Sequence, residues 1–242
     1  FDAVRQAFEN GNIAAIIIEP VPGNMGVVPA AEGFLAGLRE LCTQNDALLI
    51  FDEVMCGFRV SDTTAAAKYD VTPDLFCFGK VIGGGMPVGA FGGSSKIMNM
   101  LAPLGPVYQA GTLSGNPIAM RAGLETLNYY YENNIFQKMD KLGEYLDSAM
   151  KSVVSENNVL FSRIGSMFTL FFHNGSAIAN VSDVANCDFD KFGRFFNFML
   201  REKKMLLPPS QYEANFLSCV HTKEHMDRYV EGVKEFLKSE EN

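Results

Sequence analysis

Three short, unbroken apolar runs, at residues 13–18, 47–51 and 75–78, constrain this chain more than any other feature. Each ends abruptly: the first at Glu19-Pro20, the second at Asp52-Glu53, the third at Gly79-Lys80. An apolar run without alternation suits a strand buried on both faces, the kind found in parallel sheets. The second run follows a helical pattern over residues 31–45, in which Phe34, Leu35, Leu38 and Leu41 recur at helical spacing, and a short helix is expected over 65–69 before the third. Strand alternating with helix implies a parallel α/β sheet. The glycine-rich stretch 83–93 can add a strand, a helix is expected over about 94–101, and a long helical region runs over about 117–154.

The pattern changes near residue 155. Residues 160–164 and 167–172 read as strands meeting at Gly165-Ser166, 189–203 as an amphipathic helix, 216–220 as a strand and 223–237 as a last helix. Strands and helices without βαβ order suggest a small α+β domain. The expected organisation is therefore a large domain over 1–156 and a small one over 157–242. The chain opens at Phe1, inside a segment that reads as helix (2–9), which points to a piece of a longer protein.

Composition removes several functions. Net charge is −8 and the basic residues are scattered, which disfavours nucleic acid and anionic membranes as partners. No apolar run approaches the ~20 residues of a membrane helix. Five cysteines, odd in number and without a CxxC pair, indicate neither a zinc site nor a disulfide framework, and read as buried reduced thiols in a cytosol-like compartment. The three histidines, His173, His221 and His225, have no metal-ligand spacing, so no metal is expected. Walker, GxGxxG and GxSxG patterns are absent.

What remains is the set of polar groups at the run ends. In parallel sheets ligands sit beyond the carboxyl ends of the strands. Glu19, Asp52 and Lys80 stand 33 and 28 residues apart, one strand–helix–strand unit each, so an acid and an amine converge on one rim. Singly, Asp52 reads as a helix cap or loop acid and Lys80 as a solvated lysine. Jointly they read otherwise: Phe76, Phe78, Val81 and Ile82 flank Lys80, so its stem is expected in apolar ground, and a partly desolvated amine is a nucleophile. Gly83-Gly84-Gly85 beside it lets a ligand approach the backbone.

The stretches Leu48-Leu49-Ile50-Phe51-Asp52-Glu53-Val54-Met55, Pro73-Asp74-Leu75 and Gly79-Lys80-Val81-Ile82-Gly83-Gly84-Gly85-Met86-Pro87-Val88-Gly89-Ala90 resemble the signature of the class III aminotransferases. Gly23-Asn24-Met25-Gly26, the stretch from Val107 to Pro117 and Pro208-Pro209-Ser210-Gln211-Tyr212-Glu213 are similar to one branch of that family, the glutamate-1-semialdehyde aminomutases. The resemblance implies a fold type I transferase, a mostly parallel sheet with helices on both faces plus a small C-terminal α+β domain. It implies pyridoxal 5'-phosphate, passing through its pyridoxamine form, and exchange of an amino group within glutamate-1-semialdehyde to give 5-aminolevulinate, a tetrapyrrole precursor. A class III transaminase with another amino donor, or a non-enzymatic paralogue, is the competing reading.

By the same resemblance Lys80 is the Schiff-base lysine and proton carrier, Asp52 the partner of the pyridine nitrogen, and Val54 the packing on one ring face. Gly111 and Thr112 are implied to reach the cofactor phosphate of a neighbouring subunit, which makes a homodimer. Asn24, Tyr108, Ser166 and Glu213 are implied to lie near cofactor or substrate, Glu213 facing the substrate amino groups. Read without the resemblance, Val54 is ordinary core, Gly111-Thr112 a turn before a helix cap, and Glu213 an exposed loop acid. The implied compartment is the cytoplasm, or the plastid stroma of a photosynthetic eukaryote. The sequence departs from the pattern at Thr63-Thr64-Ala65-Ala66 and at Cys56, both beside the implied site. The family's phosphate-binding helix start, ring-stacking aromatic and carboxylate-binding arginine fall in an N-terminal half outside these residues.

Overall fold

The apolar runs become neighbouring parallel strands. In the computed structural model, which describes residues 1–240, β1 (Ala15–Ile18), β2 (Leu48–Asp52) and β3 (Leu75–Gly79) lie side by side. Ile18 pairs with Phe51 and Phe51 with Phe76. The glycine-rich stretch supplies β4 (Gly89–Gly93), which returns antiparallel with Gly89 opposite Gly79, so the sheet is mixed and mostly parallel.

Helices cover one face of this sheet. The amphipathic α1 (Asp2–Asn10), α2 (Phe34–Gln44) and the short α3 (Ala65–Tyr69) pack Phe8, Leu35, Leu38 and Ala66 against Ile16, Ile18, Leu49 and Phe51. The other face carries Ile17, Ile50 and, opposite Cys77, Phe91; Ile17 is 64% exposed and Phe91 44%. The runs suggested burial on both faces. Among the described residues only one face is covered, because unbroken apolarity records a strand's final environment and not which segment provides it.

The expected single helical region over 117–154 is two helices. After α4 (Ser95–Met98), α5 (Pro117–Glu132) and α6 (Ile135–Glu156) are broken by Asn133-Asn134, where Asn134 takes a left-handed conformation, φ 50. Asn tolerates that conformation better than most residues. The break is also the division between the two compact units. The first comprises residues 1–21 and 30–133, the second 22–29 and 134–242, whereas the sequence placed the boundary at 156/157. The physical reason is α6: its buried residues Leu146, Met150 and Val153 belong to the second unit's core.

That unit has a three-stranded antiparallel sheet of β5 (Leu160–Ile164), β6 (Met167–Phe171) and β7 (Asn215–Phe216). The helices α7 (Val181–Ala185), α8 (Phe189–Arg201) and α9 (Lys223–Ser239) complete it. The strand expected over 216–220 stops after Phe216, since Ser218 turns back through its amide to His221 Nδ1, 3.1 Å. The segment 22–29 belongs here through Gly26 N donating to Tyr212 O (2.7 Å) and Val27 N to Thr169 Oγ1 (3.1 Å). All five cysteines are unpaired; Cys219 is exposed, against the expectation of burial.

Candidate active site

Parallel pairing of β2 and β3 brings Asp52 and Lys80 to one rim. Asp52 closes β2 opposite Cys77, and Lys80 directly follows the last residue of β3. Pairing continues one step past Asp52, with Glu53 N donating to Cys77 O at 2.9 Å. Side chains alternate along a strand, so Asp52 shares the open face with Ile50 while Glu53 turns to the covered one.

The half-buried Asp52 is oriented locally. Its Oδ1 accepts from Val54 N at 3.0 Å, an Asx turn. Its Oδ2 has no hydrogen-bond partner among the described residues. The Val54 side chain lies over Gly79, where an added Cβ would stand 3.1 Å from Val54 Cγ1. Asp52, Val54 and the strand residue before Lys80 are thus assembled in one place. Cys77 belongs to the same place: burial and the Asp52 charge push its thiol up.

Lys80 is held in a backbone conformation that lysine resists. Its φ is 49, in the left-handed region, at a cost of about 1–3 kcal/mol for a residue with a side chain. The 3-10 turn Lys80–Gly83 that follows is braced by α5. Gly123 of α5 has no room for a side chain against the Ile82 carbonyl, and Gly84, at φ 57, would bring a Cβ to 2.6 Å from Ala122 O. The lysine itself is exposed. Of the residues expected to bed its stem, Phe76 and Phe78 stack on each other at 5.8 Å, and Phe78 meets Phe58.

The remaining residues divide between the units. Tyr108 (83% exposed), Gly111 and Thr112 lie in an exposed loop of the first unit, and no hydrogen bond among the described residues joins them to Asp52 or Lys80. The loop ends at Asn116, whose Oδ1 caps α5 through Ile118 N (3.1 Å) and Ala119 N (3.2 Å). Asn24 and Glu213 are exposed residues of the second unit, in segments joined by the bond from Gly26 to Tyr212. Ser166 is buried in the β5–β6 turn and accepts Leu217 N at 2.8 Å. A cleft of about 870 Å³ opens at the opposite, amino end of the first sheet, around Arg39, Asp74 and Lys96, away from the acid and the amine.

In the sequence Glu53 marks only the end of an apolar run. It is buried, and its carboxylate accepts Ala65 N (2.6 Å) and Ala66 N (3.0 Å) at the start of α3. The departing segment 63–66 is therefore the piece that binds it. The signal was available in the strand's two-residue period, which sends Asp52 and Glu53 to opposite faces.

The donor set suits a planar nitrogen heterocycle bearing an aldehyde. It has a carboxylate with one oxygen fixed and one unpartnered, a branched apolar side chain beside it, and an exposed primary amine on the next strand end. Comparisons with known proteins agree. Residues 1–178 match the family model described as aminotransferase class-III. A glutamate-1-semialdehyde 2,1-aminomutase of Clostridium kluyveri is 48% identical over 226 residues, covering 92% of this chain and 53% of that protein. Among solved structures, a β-phenylalanine aminotransferase from Variovorax paradoxus superposes with a TM-score of 0.86 at 31% identity, over 98% of this chain and 55% of that one. A glutamate-1-semialdehyde aminomutase from Pseudomonas aeruginosa PAO1, in complex with PMP, gives 0.82 at 25%, over 98% and 54%. The chain spans about half the length of the relatives it matches.

Proposed function

This chain belongs to the class III aminotransferase family, and from that premise we propose that it is the part of a pyridoxal-phosphate enzyme that carries the Schiff-base lysine, Lys80, and the pyridine acid, Asp52. The observation that carries the reading is the convergence of these two residues on one strand-end rim, with Val54 bonded to Asp52 and lying over Gly79. When bound, pyridoxal phosphate supplies an electron sink for the pair left behind when a C–H bond next to nitrogen breaks.

The chain's own residues do the rest. The Lys80 amine would hold the cofactor aldehyde covalently, with release of water, and would carry a proton between neighbouring substrate carbons. The open oxygen of Asp52 keeps a proton on the ring nitrogen, since a carboxylate favours the protonated form. Val54 packs one ring face. The Thr112 hydroxyl and the Gly111 amide offer hydrogen bonds to phosphate oxygens of a neighbouring subunit, so the enzyme works as a homodimer. Tyr108 borders the cofactor.

The substrate reading is glutamate-1-semialdehyde, converted to 5-aminolevulinate by moving the amino group between adjacent carbons. Its support is the 48% identity to the Clostridium aminomutase. A class III transaminase is the second reading, favoured by the higher TM-score of the β-phenylalanine aminotransferase. An aminomutase turns over without a second keto acid and a transaminase does not, so turnover of the complete protein with and without an added amino acceptor separates them. Borohydride reduction of the cofactor-loaded protein should leave a pyridoxyl adduct on the peptide containing Lys80. An unmodified Lys80 there would sink the reading. Because the rim is open and one sheet face uncovered, we also expect residues 1–242 alone to show no detectable turnover.

A further inference from the structure

Glu53 takes no part in the chemistry above, yet it is the most deeply buried acid described, at 1% exposure. Removing a carboxylate from water costs several kcal/mol unless hydrogen bonds replace the lost hydration. Here both oxygens receive backbone N–H groups from the first turn of α3, from Ala65 at 2.6 Å and Ala66 at 3.0 Å. Burial pushes the carboxyl above its ordinary range, and those two amides offset only part of that.

The backbone of Glu53 is tied as firmly as its side chain. Its N donates to Cys77 O at 2.9 Å, and its O accepts from Gly57 N at 2.9 Å. Gly57 leaves no slack, since a Cβ there would lie 2.8 Å from that same oxygen. Glu53 is also the middle residue of the turn in which Val54 N donates to Asp52 Oδ1. Any rotation at Glu53 carries the Val54 amide with it, and that amide is what aims the Asp52 carboxylate.

We propose that Glu53 is a positioning residue for Asp52: anchored to the start of α3 on the covered face of the sheet, it fixes the direction of the Asp52 carboxylate on the open face. The segment Thr64-Ala65-Ala66 thereby acts on recognition of the ring nitrogen without touching the cofactor. This rests on the reading of Asp52 as the pyridine acid. If Glu53 only staples α3 to the sheet, its loss lowers stability and leaves the cofactor's environment as it was.

The test compares three variants of the complete, cofactor-loaded protein. Asp52→Asn examines the premise. Glu53→Gln replaces one acceptor oxygen by a donor facing an N–H. Ala65→Pro displaces the same carboxylate from the other side, and a helix accepts Pro at its first position. Thr64, at φ −124 and ψ 154, already has the extended backbone that precedes proline. The readouts are the pH titration of the bound cofactor's visible absorbance, kcat against KM, and thermal melting.

All three variants are expected to displace the titration midpoint in the same direction. Glu53→Gln and Ala65→Pro should lower kcat roughly 10- to 100-fold, the size of effect a misplacement of about 1 Å produces, with KM little changed. If Asp52→Asn moves the titration while both others leave it unchanged, the proposal is overturned and Glu53 is a staple. If Asp52→Asn moves nothing, the premise fails and the proposal goes with it. Should Glu53→Gln not fold, Ala65→Pro decides alone.

Discussion

The two sheets of this molecule are built to opposite standards. In the second unit every residue of β6 is buried, with Phe168 and Leu170 against the α6, α8 and α9 core and Phe171 among Val28, Val184 and Cys187. In the first unit β2 alternates, with Leu49 and Phe51 buried and Leu48, Ile50 and Asp52 only half covered. A sheet closed on both sides by its own unit draws its stability locally. A sheet with one bare apolar face does not, and its bare face is the one that carries the acid, beside the strand end that leads to the exposed amine. Local closure and the candidate site thus fall to different sheets.

The sharpest way to break that contrast is to cut into the closed sheet. Phe171 is 0% exposed, and its ring presses on Gly26, whose φ of 76 and lack of Cβ are both required there. Phe171→Ala should destabilise the chain by about 3–5 kcal/mol, read as a lower denaturation midpoint, and should loosen residues 22–29 in hydrogen exchange. A loss below about 1 kcal/mol would mean that the second unit does not hold itself together by its apolar core.

Much of this was legible in the residues. Parallel strands announce themselves as unbroken apolar runs, and β1, β2 and β3 fell within two residues of expectation, as did the last helix, whose apolar stripe includes Met226, Val230 and Val233. Asp52 and Lys80 stand out in the sequence because they end such runs. Other features were not written locally. The break at Asn133-Asn134 depends on one left-handed residue inside an otherwise helical pattern. The attachment of 22–29 to the second unit depends on hydrogen bonds to residues far along the chain. The exposure of Lys80 depends on which residues cover it, which no local pattern encodes.

A middle-sized effect should come from the first unit's polar fastening. Asp74 Oδ2 accepts Leu49 N at 2.7 Å and Arg39 Nη1 at 2.6 Å, tying the starts of β2 and β3 to α2. Partial burial pushes this carboxyl up, but the Leu49 amide and Arg39 outweigh it and hold it below its ordinary value. A depressed acid stabilises the fold above its unfolded pKa, about 3.9, and that contribution disappears as pH falls through the lower folded value. Asp74→Asn should therefore cost about 1 kcal/mol near neutrality, the size of one hydrogen bond to a partly exposed charge. It should also flatten the acid side of a stability-against-pH curve. An unchanged acid side would show that the ion pair contributes nothing to unit one.

The smallest effect is the most informative about the bare face. Ile17 pairs with Ile50 and is 64% exposed. Ile17→Thr keeps the branched Cβ that strands favour, so in residues 1–242 alone it should change stability by no more than ~0.5 kcal/mol, as surface substitutions do. In the complete protein the same change puts a hydroxyl where the ethyl branch was. If another part of the polypeptide lies on this face, the cost rises to roughly 1–3 kcal/mol, the penalty for burying an unpaired hydroxyl. The two chemical melts, taken side by side, read the covering of the face directly. Equal small values in both would mean that the open side of the sheet stays open, and that Asp52 works at a surface exposed to water.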